Sequence, residues 1–183
     1  GALAKNFCVN IIAGSVIAED DGKIFNRGLI FNRCGELVNF YDKAHLFTFA
    51  GEGKIFTAGN EIKTFELDGV KCGIIICYDL RFPEFVRKVA LQEVEILFCP
   101  AAWSLKRLFP RQILTAARAI ENQIFLVFAN SAGKSEIINP LGEIISSIGV
   151  GEEILTAEID LNFRKKIISE MNLIADRNFF TDS

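Results

Sequence analysis

Residues 73–77, Gly-Ile-Ile-Ile-Cys, form an apolar, β-branched run that breaks directly into Tyr78-Asp79-Leu80-Arg81-Phe82-Pro83. A strand that is apolar at every position must be covered on both faces, so it belongs to a sheet packed between two other layers. The same run puts a thiol, Cys77, where a core strand gives way to a charged turn. That position constrains both the fold and its chemistry.

Runs of similar character recur along the chain. Val9 to Ala18 reads as a buried strand, and Lys23 to Asn32 with Glu36 to Asp42 as a hairpin turning at Arg33-Cys34-Gly35. Ala44 to Gly59 has three glycines and no sustained period, which predicts a long loop of the kind that often carries function. Strands are expected at Ile62 to Leu67 and Val70 to Cys77 about an Asp68-Gly69 turn, and at Glu95 to Cys99 and Ile124 to Ala129. Pro83 suits the first turn of a helix continuing over Phe85 to Gln92. Arg111 to Asn122 is predicted helical, with Ile113, Leu114, Ala117 and Ile120 on one face. Ser135 to Ile138 and Glu143 to Ile148 form a hairpin about Asn139-Pro140-Leu141-Gly142. A last strand, Ile154 to Ile159, and a last helix, Leu161 to Glu170, complete the order. Strands dominate with helices between several of them, so the fold class is α/β or layered α+β, as one domain over residues 1–183.

Composition narrows the function. The net charge of −3 gives no basic stripe to follow a phosphate backbone, which argues against a nucleic-acid partner. No apolar run reaches the length of a membrane span, and the first residues lack the pattern of a signal peptide. Five cysteines, an odd number without a C-x-x-C pair, favour reduced thiols and a cytoplasmic location. With His45 the only histidine, a structural zinc site is not expected.

A cysteine between strand and helix has the geometry of a nucleophile elbow, where a helix terminus favours the thiolate and free N–H groups can hold an oxyanion. A lone cysteine is more often a small core residue that packs like alanine. Lys43, at the end of a strand, is likewise ordinarily a solvated surface residue. What changes both readings is their company. Tyr41-Asp42-Lys43-Ala44-His45-Leu46-Phe47, Gly51-Glu52, Cys77-Tyr78-Asp79-Leu80-Arg81-Phe82-Pro83-Glu84, Ala101-Ala102-Trp103, Ala117-Arg118-Ala119-Ile120-Glu121-Asn122 and Asn139-Pro140-Leu141-Gly142 follow in that order.

Taken together these segments resemble the nitrilase superfamily of carbon–nitrogen hydrolases, and within it the bacterial omega-amidases. The resemblance implies an αββα sandwich and hydrolysis of the amide of a small carboxylated substrate through a cysteine acyl-thioester. It makes Cys77 the nucleophile, with Lys43 as the cation that stabilises the oxyanion and Glu52 as the carboxylate that orients Lys43 or the substrate. The Tyr78 N–H would donate to the oxyanion, and Arg81 and Trp103, with Arg107, would meet the substrate. It implies no metal or organic cofactor, and a homodimer or larger homo-oligomer.

Three departures from that pattern bear on activity. The family's opening strand–helix–strand unit, whose second strand ends in the general-base glutamate, has no counterpart here, and Gly1 to Lys5 resembles the tail of its helix. The joint between Gly133 and Ser135 is short, and Pro110-Arg111 stands where relatives carry His-Trp. Two other readings follow: a non-catalytic, truncated homologue acting as an oligomer or binding partner, or a thiol hydrolase built on Cys77, His45 and Asp79.

Overall fold

The computed structural model describes residues 1–151 and 153–177. A short helix, α1 (Ala2–Phe7), leads into three antiparallel strands, β1 (Ile11–Asp20), β2 (Lys23–Phe31) and β3 (Leu37–Asp42). The β1–β2 connection is the two-residue turn Asp21-Gly22, both with positive φ, which matches the twist of a hairpin. After the long loop come β4 (Thr64–Leu67), β5 (Val70–Ile74), α2 (Pro83–Ala90), β6 (Ile96–Ala101), α3 (Leu108–Asn122), β7 (Phe125–Asn130), β8 (Ser135–Ile138), β9 (Ile144–Ile148) and α4 (Leu161–Glu170). These strands form a six-stranded sheet in sequence order, parallel through β5, β6 and β7 and antiparallel at both flanks.

The layers follow from which faces are apolar. Ile30 and Tyr41 of the small sheet meet Phe65, Cys72, Ile74 and Ile76 of the large one, forming a core between the sheets. The other face of the large sheet carries Leu97, Cys99, Leu126 and Phe128 against Val86 and Val89 of α2 and Ala119 of α3. Residues 73–76 contribute to both cores, as a strand apolar on both faces must.

Four expectations need correction. Val9 to Ala18 is not a buried strand: β1 pairs only with β2, and its outward face leaves Ile17 75% exposed. The ladder of β5 ends at Ile74, so Cys77 lies beyond the strand, as the first residue of a 3₁₀ turn over Cys77–Arg81. No strand forms over residues 154–159. Ile154 is exposed, and the segment is tied to β9 by the Ser146 hydroxyl donating to the Thr156 carbonyl.

Helix α3 follows its apolar pattern only in part: Leu114 packs against the core that holds Ala119. Ile113 and Ile120 face outward, while Arg111, Thr115, Arg118 and Asn122 are buried. Burial of these polar groups is tolerated because most are satisfied. Arg111 pairs with Glu136 on β8, Arg118 Nε donates to the Leu80 carbonyl, and Asn122 Nδ2 donates to the Arg118 carbonyl.

Candidate active site

The site is assembled where the end of β3, the long loop and the turn after β5 meet. Cys77 has φ +48, a left-handed conformation that an L-residue adopts only when its surroundings enforce it. Asp79, fully buried, is the enforcing group. Its Oδ2 accepts from the Ile76 N–H at 2.8 Å and the Tyr41 hydroxyl at 2.7 Å. Its Oδ1 accepts from the His45 N–H at 2.8 Å and lies 2.9 Å from His45 Nδ1. One carboxylate thus ties the turn to β3 and the loop, while Arg118 holds the same turn from α3 through Leu80.

Lys43 follows β3 and is only 2% exposed. Its N–H donates to the Asn26 carbonyl on β2, and its own carbonyl accepts from Gly59 as the loop returns. A Cβ at Gly59 would sit 2.2 Å from the Asp42 carbonyl oxygen, so only glycine permits that close return. The Lys43 ammonium donates to Glu52 Oε1 at 2.9 Å and Oε2 at 2.7 Å, and Glu52 Oε2 also accepts from the Phe47 N–H. The loop is therefore folded around an ion pair, with 3₁₀ turns at Thr48–Ala50 and Glu52–Lys54.

Lys43, Glu52, Cys77, Tyr78, Arg81 and Trp103 all line one cavity of about 370 Å³. Arg107 joins them at the same cavity, its guanidinium over the rings of Phe47 and Phe49. Arg81 lies 4.7 Å from the centre of the Trp103 ring. Trp103 is fixed by its indole N–H donating to the Arg107 carbonyl and by reciprocal backbone bonds with the Asn130 amide. His45 does not line the cavity; its ring stacks on Phe82 at 3.7 Å, which removes it from a Cys77–His45 pair. Sequence reasoning missed Ser15 and Asn26 in the lining. Asn26 carried a signal: it shares a strand face with Gly28 and Ile30, both buried.

The electrostatics correct the expected thiolate. Burial pushes the Cys77 thiol above its ordinary value; the Ala102 N–H and the Lys43 charge oppose this, and Glu52 and Asp79 reinforce it. The helix expected to help, α2, begins only at Pro83, so its dipole does not start at Cys77. Cys77 therefore rests as a thiol at neutral pH and needs a base to become nucleophilic.

Burial also raises Cys99 and Tyr41, and Cys72 to about 12. Such groups contribute fully to stability below their unfolded values, 9.0 for a thiol and 10.0 for the Tyr41 phenol, and lose that contribution as pH rises through their folded values. The Tm is therefore expected to fall progressively as pH rises above 9.0, and a flat profile there would contradict the burial of these groups.

Among the described residues no group of three or more His, Cys, Asp or Glu side chains is placed to hold a metal, and no helix is long and apolar enough to cross a membrane. All five cysteines are free thiols.

A family model described as carbon-nitrogen hydrolase matches residues 1–168. The chain is 42% identical over 167 residues to a 2-oxoglutaramate amidase of Bacillus subtilis (strain 168), covering 86% of this chain and 64% of the relative. It is 32% identical over 177 residues to an omega-amidase of Homo sapiens, covering 87% of this chain and 64% of that protein. The chain thus spans about two thirds of the length of these curated relatives. A crystal structure of a Saccharomyces cerevisiae member of the nitrilase superfamily superposes with TM-score 0.90 at 29% identity, covering 97% of this chain and 69% of that one. A carbon–nitrogen hydrolase superfamily protein of Xanthomonas campestris, solved with an arsenic adduct in its active site, gives TM-score 0.89 at 29% identity. It covers 100% of this chain and 74% of that one.

Proposed function

Because the chain belongs to the carbon–nitrogen hydrolase family, we propose that the Cys77 cavity hydrolyses the primary amide of a small carboxylated substrate, as an omega-amidase does. The observation that carries this reading is the convergence of a buried Lys43–Glu52 pair and the strained Cys77 turn on one cavity. Two arginines, Arg81 and Arg107, line the same cavity and suit a carboxylate at the far end of the acyl chain. The 2-oxoglutaramate amidase relative makes 2-oxoglutaramate the first substrate to test.

In the proposed reaction the Cys77 sulfur bonds to the amide carbon, and the carbonyl electron pair moves onto oxygen. Lys43 and the Tyr78 N–H, in the first turn of its 3₁₀ segment and so without an intrahelical acceptor, stabilise that oxyanion. The carbonyl re-forms, the carbon–nitrogen bond breaks, and nitrogen leaves as ammonia after taking the proton removed from the thiol. Water then adds to the thioester, the carbon–sulfur bond breaks, one of the water protons goes to sulfur, and the product leaves as its carboxylate with loss of the other. Glu52 is committed to Lys43 and the Phe47 N–H. The resemblance assigns proton transfer to a glutamate with no counterpart among residues 1–183.

The test is ammonia release by purified full-length protein from 2-oxoglutaramate and simple primary amides, with Cys77→Ala as the control. Release that disappears in the variant supports the reading, and no release from any amide defeats it. By the same resemblance the protein is a homo-oligomer, a dimer or larger, in a reducing cytoplasm. Light scattering at micromolar concentration that reports a single chain's mass would contradict that assembly.

A further inference from the structure

Asn26 is a polar side chain where the fold would ordinarily place an aliphatic one. It sits in the middle of β2, on the face that also carries the buried Gly28 and Ile30. Its Oδ1 is buried and has no hydrogen-bond partner among the described residues. Burying an unpaired amide destabilises a fold, and a strand interior between two sheets favours β-branched residues. The position is nevertheless fixed beside the chemistry: the Asn26 carbonyl accepts from the Lys43 N–H at 2.9 Å, and the residue lines the Cys77 cavity. Ser15 joins the same wall because β1 bulges between Ile12 and Ser15, with Gly14 at φ +56. Bulges of this kind re-aim a side chain next to a site.

The tetrahedral adduct says which part of a substrate this wall meets. Its carbon carries four substituents. Sulfur is Cys77, the oxyanion faces Lys43 and the Tyr78 N–H, and the acyl chain runs toward Arg81, Trp103 and Arg107. The remaining substituent is the nitrogen. Of the polar lining, Glu52 is held by Lys43 and Ser104 lies on the segment between Trp103 and Arg107, which leaves the wall of Asn26 and Ser15. Resting on the amidase reading, we infer that Asn26 is the group that recognises the scissile nitrogen, its carbonyl oxygen accepting from the N–H of the amide and of the departing ammonia. Its carboxamide makes no hydrogen bond among the described residues, so it can rotate to present that oxygen to the cavity without losing one to the protein.

The experiment compares a primary amide with the aryl ester of the same acyl group, in the full-length protein and in Asn26→Leu and Asn26→Ala. The ratio of amide to ester kcat/KM is expected to fall about tenfold or more in both variants, the scale of one lost hydrogen bond in a desolvated site. The Tm of Asn26→Leu is expected to match or exceed that of the parent, because an apolar side chain replaces an unpaired amide. Parallel losses on both substrates, or an unchanged ratio, overturn the inference while leaving the amidase reading intact. A parent protein that hydrolyses the ester but releases ammonia from no amide overturns both. Should Asn26→Leu misfold, the substrate ratio of Asn26→Ala decides the question.

Discussion

Replacing Lys43 by methionine is expected to lower kcat/KM for amide hydrolysis by about a thousandfold, the upper scale for loss of a single preorganised oxyanion-stabilising group. Three effects act in the same direction. The ammonium proposed to face the oxyanion disappears. The opposition that Lys43 offers to the raised Cys77 thiol disappears with it, leaving Glu52 and Asp79 to push the thiol further up. Glu52 also loses both bonds from Nζ and keeps, among the described residues, only the Phe47 N–H, so the loop that forms one wall is loosened. The double variant Lys43→Met with Glu52→Gln separates these effects, because it removes the unpaired carboxylate while leaving the cation absent. The loop should recover, as judged by Tm, and the activity should not. Lys43→Arg is expected to fail as well, since a planar fork cannot occupy the place of a compact ammonium only 2% exposed. A Lys43→Met protein that kept activity within about tenfold of the parent would show that the oxyanion is stabilised elsewhere.

Replacing Glu136 by alanine is expected to destabilise the fold by about 3–5 kcal/mol, the cost of leaving a buried charge without its partner. Arg111 is 1% exposed, with Nη2 donating to Glu136 Oε1 at 2.9 Å and its guanidinium 5.1 Å from the Phe128 ring centre. Glu136 is 1% exposed as well, so the lost carboxylate lies away from the surface. The loss is a large part of the total stability of a typical domain, about 5–15 kcal/mol. It also reaches the active site, because α3 carries both Arg111 and Arg118, and Arg118 holds the Leu80 carbonyl of the nucleophile turn. Urea unfolding checks the magnitude. Adding Arg111→Met should recover much of the stability, since a methionine in an apolar slot needs no partner. A single variant that lost less than about 1 kcal/mol would mean that the pair is solvated in solution.

The order of elements was legible because β-branched runs and turn residues mark it: Arg33-Cys34-Gly35, Asp68-Gly69 and Asn139-Pro140-Leu141-Gly142 each join antiparallel strands. Which face each element buries was less so. The apolar pattern of α3 turned Ile113 and Ile120 inward. The fold instead buries Arg111 and Arg118, because partners distant in sequence, Glu136 and Leu80, satisfy them. The β1 run reads as core, yet a strand paired on one edge with one face outward leaves Ile17 in solvent.

The candidate site divides in the same way. Lys43, Glu52 and Cys77 were singled out by motif, and they line one cavity. The protonation state of the thiol was not legible, because it depends on burial and on a 3₁₀ turn inserted before α2. Asp79 shows the limit most clearly. In the sequence it belongs to a charged turn, whereas in the fold it is fully buried and accepts from Tyr41, His45 and Ile76.

In the proposed reaction Cys77 carries the acyl group. The most direct measurement is mass spectrometry of acid-quenched incubations of the full-length protein with 2-oxoglutaramate, followed by peptide mapping. The expected result is an adduct of the acyl mass on the peptide containing Cys77, forming as ammonia appears and absent in Cys77→Ala. Ammonia release that persists in Cys77→Ala with no adduct on the parent protein would contradict it.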